Sequence, residues 1–486
     1  MQSKQDVINW IEFNREQFIA LADAIWEKPE ISMKEFFASK LQADYLENKD
    51  FTIKWDLGGL NTAFVAEWGN GKPVIGFLGE YDALSNLSQS RNPFPDPLIP
   101  GEPGQGCGHN LLGVGGLAAA AAVKEWLKAT GSTGTVRYYG CPGEENGDGK
   151  VFMARAGAFD DLDAAFNFHP SSINSASKGS TVGVKDVIFR FHGISSHAGS
   201  EPDLGRSALD AAELMNIGVN YLREHVSDKV RIHYTITHGG DLPNIVPSKA
   251  EVWYFIRAHK PEELEEVSER IFKIARGAAM MTETRLELII QGGCSNVLSN
   301  HTLADLQYEA MQVVGPIRFT AEEYEFARKI RGHFPQKDLD ESLQKYFLPK
   351  YPQPYETLKD KSLAAENYPA MDEGEIGTGS TDVGDVSQIT PLSMLNTTCE
   401  PLAAPGHSWA TVAASGSSIG HKGMLHAAKI MALAAIDCYS DPVHLQKART
   451  EFIRSANRHP YQCPIPDYVN PRQYENPERN KPKLNN

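Results

Sequence analysis

The sequence is sparing with cysteine, with positive charge and with long apolar runs. Six cysteines, at 107, 141, 294, 399, 438 and 463, are scattered over 486 residues without a Cys-x-x-Cys pair, which argues against a disulfide framework and for reduced thiols in the cytoplasm. Lys and Arg number 47 against 62 Asp and Glu, a formal net charge of −15. That deficit argues against a nucleic-acid partner and against an anionic membrane surface, since both demand basic residues facing phosphate. The longest weakly polar run, Leu111 to Val123, is rich in Gly and Ala and far short of the ~20 apolar residues of a membrane span. Met1 to Trp26 is charged and amphipathic, so no signal peptide is expected.

What remains is an ordinary globular composition, 41 % hydrophobic and 22 % charged, long enough for two or three domains and a core that needs no staples. From residue 1 to about 180, helical patterns (Ser3 to Trp26, Ala38 to Asn48, Leu111 to Ala129) alternate with short apolar strands (Asn61 to Trp68, Pro73 to Leu78, Thr135 to Tyr139, Ala164 to Phe168). Such alternation predicts an α/β layer on one sheet. Residues 181–293 follow a different order, strand, helix, two strands, helix, strand, which is the β-α-β-β-α-β arrangement of a ferredoxin-like domain inserted into the first. The α/β domain resumes over 294–486, with a strand near Ser393 and a long helix from about Ser417 to Cys438. A charged stretch at about 319–379 reads as a helical, solvent-facing insertion, and the Pro- and Asn-rich end from about 470 as a flexible tail.

In open α/β sheets the residues just beyond the strand ends are the ones that meet ligands. Four such places carry chemistry: Gly79-Glu80-Tyr81-Asp82, Gly106-Cys107-Gly108-His109, Pro142-Gly143-Glu144-Glu145 and His169-Pro170. Each is weak alone, for a buried thiol beside a turn or a pair of surface glutamates is common. Together they supply thiolate, imidazole and carboxylate, the donors of Zn, Mn and similar divalent metals. An adjacent Glu-Glu can send one carboxylate to metal and keep the other as a general base.

Cys-Gly-His, Pro-Gly-Glu-Glu and His-Pro, followed by an inserted domain with Ser196-His197-Ala198-Gly199 and Gly205-Arg206-Ser207-Ala208-Leu209-Asp210-Ala211, resemble the M20 metallopeptidase and amidohydrolase family. The resemblance is to the branch in which cysteine takes the bridging position. It implies a two-metal aminopeptidase-like catalytic domain with an inserted lid and dimerisation domain, and two divalent ions per chain, Zn or Mn. Cys107 would bridge them, with His109, Glu145, His169 and His407 as the other ligands. Glu144 would be the general base, and Asp82 an orienter of a ligand. His197 would reach a partner's tetrahedral intermediate, and Asn244 and Arg257 would bind substrate polar groups. Glu80 stands where many members have a ligand histidine, so its contact with metal is open. His421 and His426 compete with His407, Arg206 supports its own helix, and Cys141 is a packed thiol.

The activity implied is hydrolysis of the amide of an N-acyl amino acid, with p-aminobenzoyl-glutamate favoured, in a homodimer or a heterodimer with a homologous subunit joined through the inserted domain. An acidic substrate then requires a basic patch in an acidic protein. The alternatives are other N-acyl amino acids or dipeptides, Cys107 as a covalent nucleophile with His109 as its base, and a less active subunit that needs a homologous partner chain.

Overall fold

The computed structural model describes residues 1–146, 148–456 and 461–472, so most of the tail expected from about 470 lies outside the described residues. Twelve strands occur among them: β1 (Thr52–Trp55), β2 (Phe64–Asn70), β3 (Val74–Gly79), β4 (Gly134–Gly140), β5 (Ala164–Ser171), β6 (Asn174–Ala176), β7 (Gly183–His192), β8 (Arg231–His238), β9 (Lys249–Ala258), β10 (Arg285–Cys294), β11 (Asn367–Tyr368) and β12 (Leu392–Thr398). The chain divides into two compact units. The first comprises Met1–Gly179, Leu298–Glu375 and Val386–Tyr461; the second comprises Ser180–Val297, Ile376–Asp385 and the described residues from Gln462 on.

The first unit is built on an eight-stranded sheet of order β1-β2-β4-β3-β5-β12-β6-β11. Its centre, β4-β3-β5-β12, is parallel. Every residue of β3 is buried, as expected where both faces of a parallel sheet are covered. The Gly/Ala-rich helix His109–Thr130 and the helix Ser418–Ser440 pack on the sheet and on each other, and their small residues form the middle of the main core. The helix expected over Ser3 to Trp26 is two, Lys4–Phe13 and Arg15–Glu27. Asn14 divides them, its side chain donating to the Trp10 carbonyl at 2.8 Å in the competition with backbone bonding that short polar side chains offer.

The charged stretch departs from its expected solvent-facing character. Its helices Ala321–Arg331, Gln336–Phe347 and Pro352–Leu358 bury Ala327, Ile330, Leu339, Leu343, Phe347 and Leu358. Leu339, Leu343 and Phe347 recur every fourth residue, which puts them on one helix face despite the surrounding charge.

The second unit holds a four-stranded antiparallel sheet of order β10-β7-β9-β8, covered on one face by helices Ala208–Leu222 and Pro261–Thr282. This is the ferredoxin-like arrangement. Arg206 donates to the carbonyls of Asp203 and Gly205 and pairs with Glu283, while Ser207 caps the helix that follows. No helix of the described residues is long and apolar enough to cross a membrane.

Candidate metal centre

β3 delivers Glu80, Tyr81 and Asp82 to the carboxyl edge of the first sheet, all three buried. Asp82 Oδ1 accepts the Nδ1 hydrogen of His109 at 2.9 Å. Its Oδ2 accepts the backbone N–H of Glu145 at 3.0 Å and the Ser32 hydroxyl at 2.7 Å. Burial opposes its charge, but those donors outweigh it and hold the carboxyl below its ordinary range.

Cys107 and His109 flank Gly108, which adopts φ +75° as the cap of helix His109–Thr130. A side chain at Gly108 would also press on Pro170 at 3.1 Å, so the glycine lets this turn close on the His169-Pro170 segment of β5. Cys107 Sγ lies 3.3 Å from His169 Nε2. His169 donates its Nδ1 hydrogen to the Pro170 carbonyl at 2.7 Å. With Nδ1 of both histidines engaged as donors, each presents Nε2 to the same space, the outer-shell device that fixes the tautomer of ligand histidines.

β4 ends at Gly140 and leads into Pro142-Gly143-Glu144-Glu145. The segment is pinned twice by buried carboxylates: Gly143 N–H donates to Glu35 Oε1 at 2.8 Å, and Glu145 N–H to Asp82. Burial and the nearby Asp82 push the Glu35 carboxyl up to about 8. Glu144 is half-buried between these two anchors. Beyond β12, His407 adopts φ +50° and is exposed, with Nε2 3.5 Å from Glu145 Oε1.

Potential ligand atoms of Cys107, His109 and His169 lie within 4.8 Å of one another, and so do those of Cys107, Glu145 and His407. These two groups share one sulfur, and a third, Glu80, His109 and Glu144, meets the same limit and shares His109 with the first. Two of the atoms, His109 Nε2 and Glu145 Oε1, are buried and make no hydrogen bond, each lying beside an ionisable group, Glu80 Oε2 at 3.2 Å and His407 Nε2 at 3.5 Å, an arrangement that a cation would complete. The donor set therefore fits divalent metal, which Cys107, His109, Glu145, His169 and His407 would hold. Burial pushes the Cys107 thiol up to about 12; a cation is what makes such a thiol a thiolate. Burial lowers His169, with His109 adding to the shift, so His169 is the neutral imidazole that ligation needs.

Glu80 Oε2 lies 3.2 Å from His109 Nε2, and its Oε1 2.7 Å from Nζ of Lys150, whose side chain has no solvent exposure. Lys150, Glu35 and Ser32 are site residues that the sequence did not announce. The competing histidines are engaged elsewhere, His421 with Asp23 at 3.0 Å and His426 with Asn367 at 2.9 Å. Cys141 is fully buried.

The remaining expected residues lie in the second unit. His197 and Asn244 are neighbours: Ala198 N–H donates to the Asn244 carbonyl at 2.9 Å, and His197 bridges to Ile245. His197 is exposed, and its Nδ1 accepts the N–H groups of Gly199 and Ser200 at 3.1 Å. That leaves Nε2 as a hydrogen-bond donor. Arg257 sits near the far end of β9, eight residues beyond Lys249 and so ~26 Å along the strand from the Asn244 end. It donates to Ser380 Oγ at 2.9 Å, and its cross-strand partner is Arg231. His233 is held below its ordinary range by burial and by Arg257, Arg223 and Arg231. This patch is locally basic in a chain of net charge −15.

The chain is 42 % identical over 473 residues to one of the subunits of p-aminobenzoyl-glutamate hydrolase of Escherichia coli K12, covering 95 % of this chain and 97 % of that protein. The chain belongs to the M20 family. The M20 peptidase dimerisation domain matches residues 180–280, which is most of the second unit. Another relative is mouse Xaa-Arg dipeptidase, 30 % identical over 454 residues, 90 % of this chain and 89 % of the relative. Among solved structures, an M20 peptidase of Bacillus subtilis described as dinuclear metal binding shares the fold, with TM-score 0.56 at 18 % identity over 88 % of this chain and 99 % of that one. This M20 chain is thus a hydrolase by family.

Proposed function

We propose that this protein hydrolyses the amide of an N-acyl amino acid, with p-aminobenzoyl-glutamate as the favoured substrate, using two divalent ions, Zn or Mn. The observation that carries the reading is the sharing of Cys107 between two ligand groups, one with His109 and His169, the other with Glu145 and His407. When bound, such a pair of ions acidifies water and polarises a carbonyl. Glu144, held between the Glu35 and Asp82 anchors, takes a proton from the attacking water and returns it to the leaving nitrogen. The Asp82 carboxylate fixes both the His109 ring and the backbone N–H of Glu145. Arg257 meets a substrate carboxylate. His197 donates from Nε2 to the oxygen on which negative charge develops.

His197 serves the site of a second chain in a cytoplasmic dimer formed through the ferredoxin-like unit. A second reading is favoured by the name of the Escherichia coli relative, which is that of a single subunit in a hydrolase of more than one: the chain reaches full activity only with a homologous partner.

The test is elemental analysis of the purified chain together with a panel of N-acyl glutamates and dipeptides. Two ions per chain and preferred turnover of p-aminobenzoyl-glutamate are expected, and loss of all ions with activity retained overturns the reading. Turnover that arises only on adding a homologous chain selects the second.

A further inference from the structure

The charged stretch at about 319–379 has no place in the reaction as described so far, yet it grips the loop that carries His407 at both of its ends. On the near side, Leu402 is buried among Leu343, Phe347 and Leu358 of the stretch, and its N–H donates to the Ser362 carbonyl at 2.9 Å. On the far side, Trp409 stacks on Phe334 with ring centroids 5.7 Å apart and 14° between planes. His333 meets the same indole edge-on at 5.4 Å. Ala410 and Ala413 close this second contact against Ile330.

Between the two grips the chain takes left-handed conformations at two residues that are not glycine, Ala403 at φ +62° and His407 at φ +50°. Such backbone persists only where the surroundings over-determine it. His407 needs this support, because its side chain is 58 % exposed while that of Glu145, its neighbour in the ligand group, is 8 % exposed. Cys107, His109 and His169 are anchored by the sheet, by Gly108 and by Asp82, and none of them lies on the loop between the two grips.

We propose that the 319–379 stretch is a brace for His407, so that Phe334, His333 and Leu402 are positioning residues for one of the two ions. The inference rests on the two-ion reading above. It assigns the stretch an effect on the Cys107–Glu145–His407 ion alone and none on the Cys107–His109–His169 ion.

The experiment measures ion stoichiometry and the two apparent affinities by equilibrium dialysis against graded Zn²⁺ or Mn²⁺. Wild type, Phe334→Ala, the ring-preserving Phe334→Tyr and the surface change His333→Ala are compared, with a thermal melt of each. Wild type is expected to hold two ions. Phe334→Ala should keep one at unchanged affinity and bind the other at least about tenfold more weakly, the scale of lost outer-shell support. Phe334→Tyr should match wild type, and His333→Ala should show a smaller loss of the same ion. Two ions at wild-type affinities in Phe334→Ala, or equal weakening of both, overturns the brace and leaves the two-ion reading standing. Fewer than two ions in wild type overturns both. If Phe334→Ala fails to fold, His333→Ala decides alone, and its retention of both affinities counts against the brace.

Discussion

Lys150 Nζ lies 2.7 Å from Glu80 Oε1 with both side chains out of solvent, so the strand end beside the candidate ligands carries an ion pair in a dry place. A buried charge deprived of its partner typically costs 3–5 kcal/mol, whereas replacing the pair together costs far less. Lys150→Met is therefore expected to destabilise the protein by roughly 3–5 kcal/mol, and Lys150→Met with Glu80→Leu to recover most of that loss. Denaturant unfolding of the single and double variants checks this. A single variant as stable as wild type would mean that Glu80 is served by another partner.

Asp82 joins His109, Glu145 and Ser32 through one carboxylate. Asp82→Asn keeps the shape but offers an amide where an acceptor stood. Metal affinity is expected to fall about 10- to 100-fold, read by competition with a chelator of known affinity. Activity at saturating metal should recover further than at limiting metal, and equal losses under both conditions would place Asp82 in the chemistry itself.

Glu144→Gln removes a proton acceptor without removing a proposed ligand. Turnover should drop by about 10² or more, the low end of general acid–base contributions, with ion content unchanged. Full activity in this variant would remove Glu144 from the mechanism.

Glu35 offers a pH test. Its folded carboxyl stands at about 8 against an ordinary value of 4.5, so its contribution to stability is complete below about 4.5 and is lost as pH rises through about 8. Glu35→Gln imitates the protonated form and can still accept from Gly143 N–H. The melting temperature of wild type should fall progressively below that of the variant between about pH 5 and pH 9. A difference that does not change with pH would mean that Glu35 keeps one charge state throughout.

The α/β alternation, the inserted β-α-β-β-α-β unit and the strand-end placement of Cys107, His109, Glu145 and His169 were legible in the sequence, whereas His407 came only from the family resemblance. The legible features are local. An all-apolar run followed at once by acids or imidazoles marks a strand end, and Cys-Gly-His compresses two ligands around one turn. Glu35 and Lys150 were not legible because their roles arise from long-range contacts; Glu35 reaches Gly143 across 108 positions. A buried lysine is also contrary to composition-level expectation, since lysine is seldom fully buried unless paired. The core of the charged stretch was hidden for another reason. Its Leu339-Leu343-Phe347 face is thin, and the charges between those positions dilute the periodic signal.

Helix His109–Thr130 lies so close to the sheet that a side chain at Gly113 would come within 2.5 Å of the Glu80 carbonyl oxygen, just as one at Gly108 would crowd Pro170. For anyone redesigning this enzyme, that closeness divides the site into a floor and a wall. The floor, made by the helix tip, the strand ends and their glycines, has no slack to trade for new chemistry. The wall, made by the His407 loop and what packs behind it, is where a randomised library should be spent.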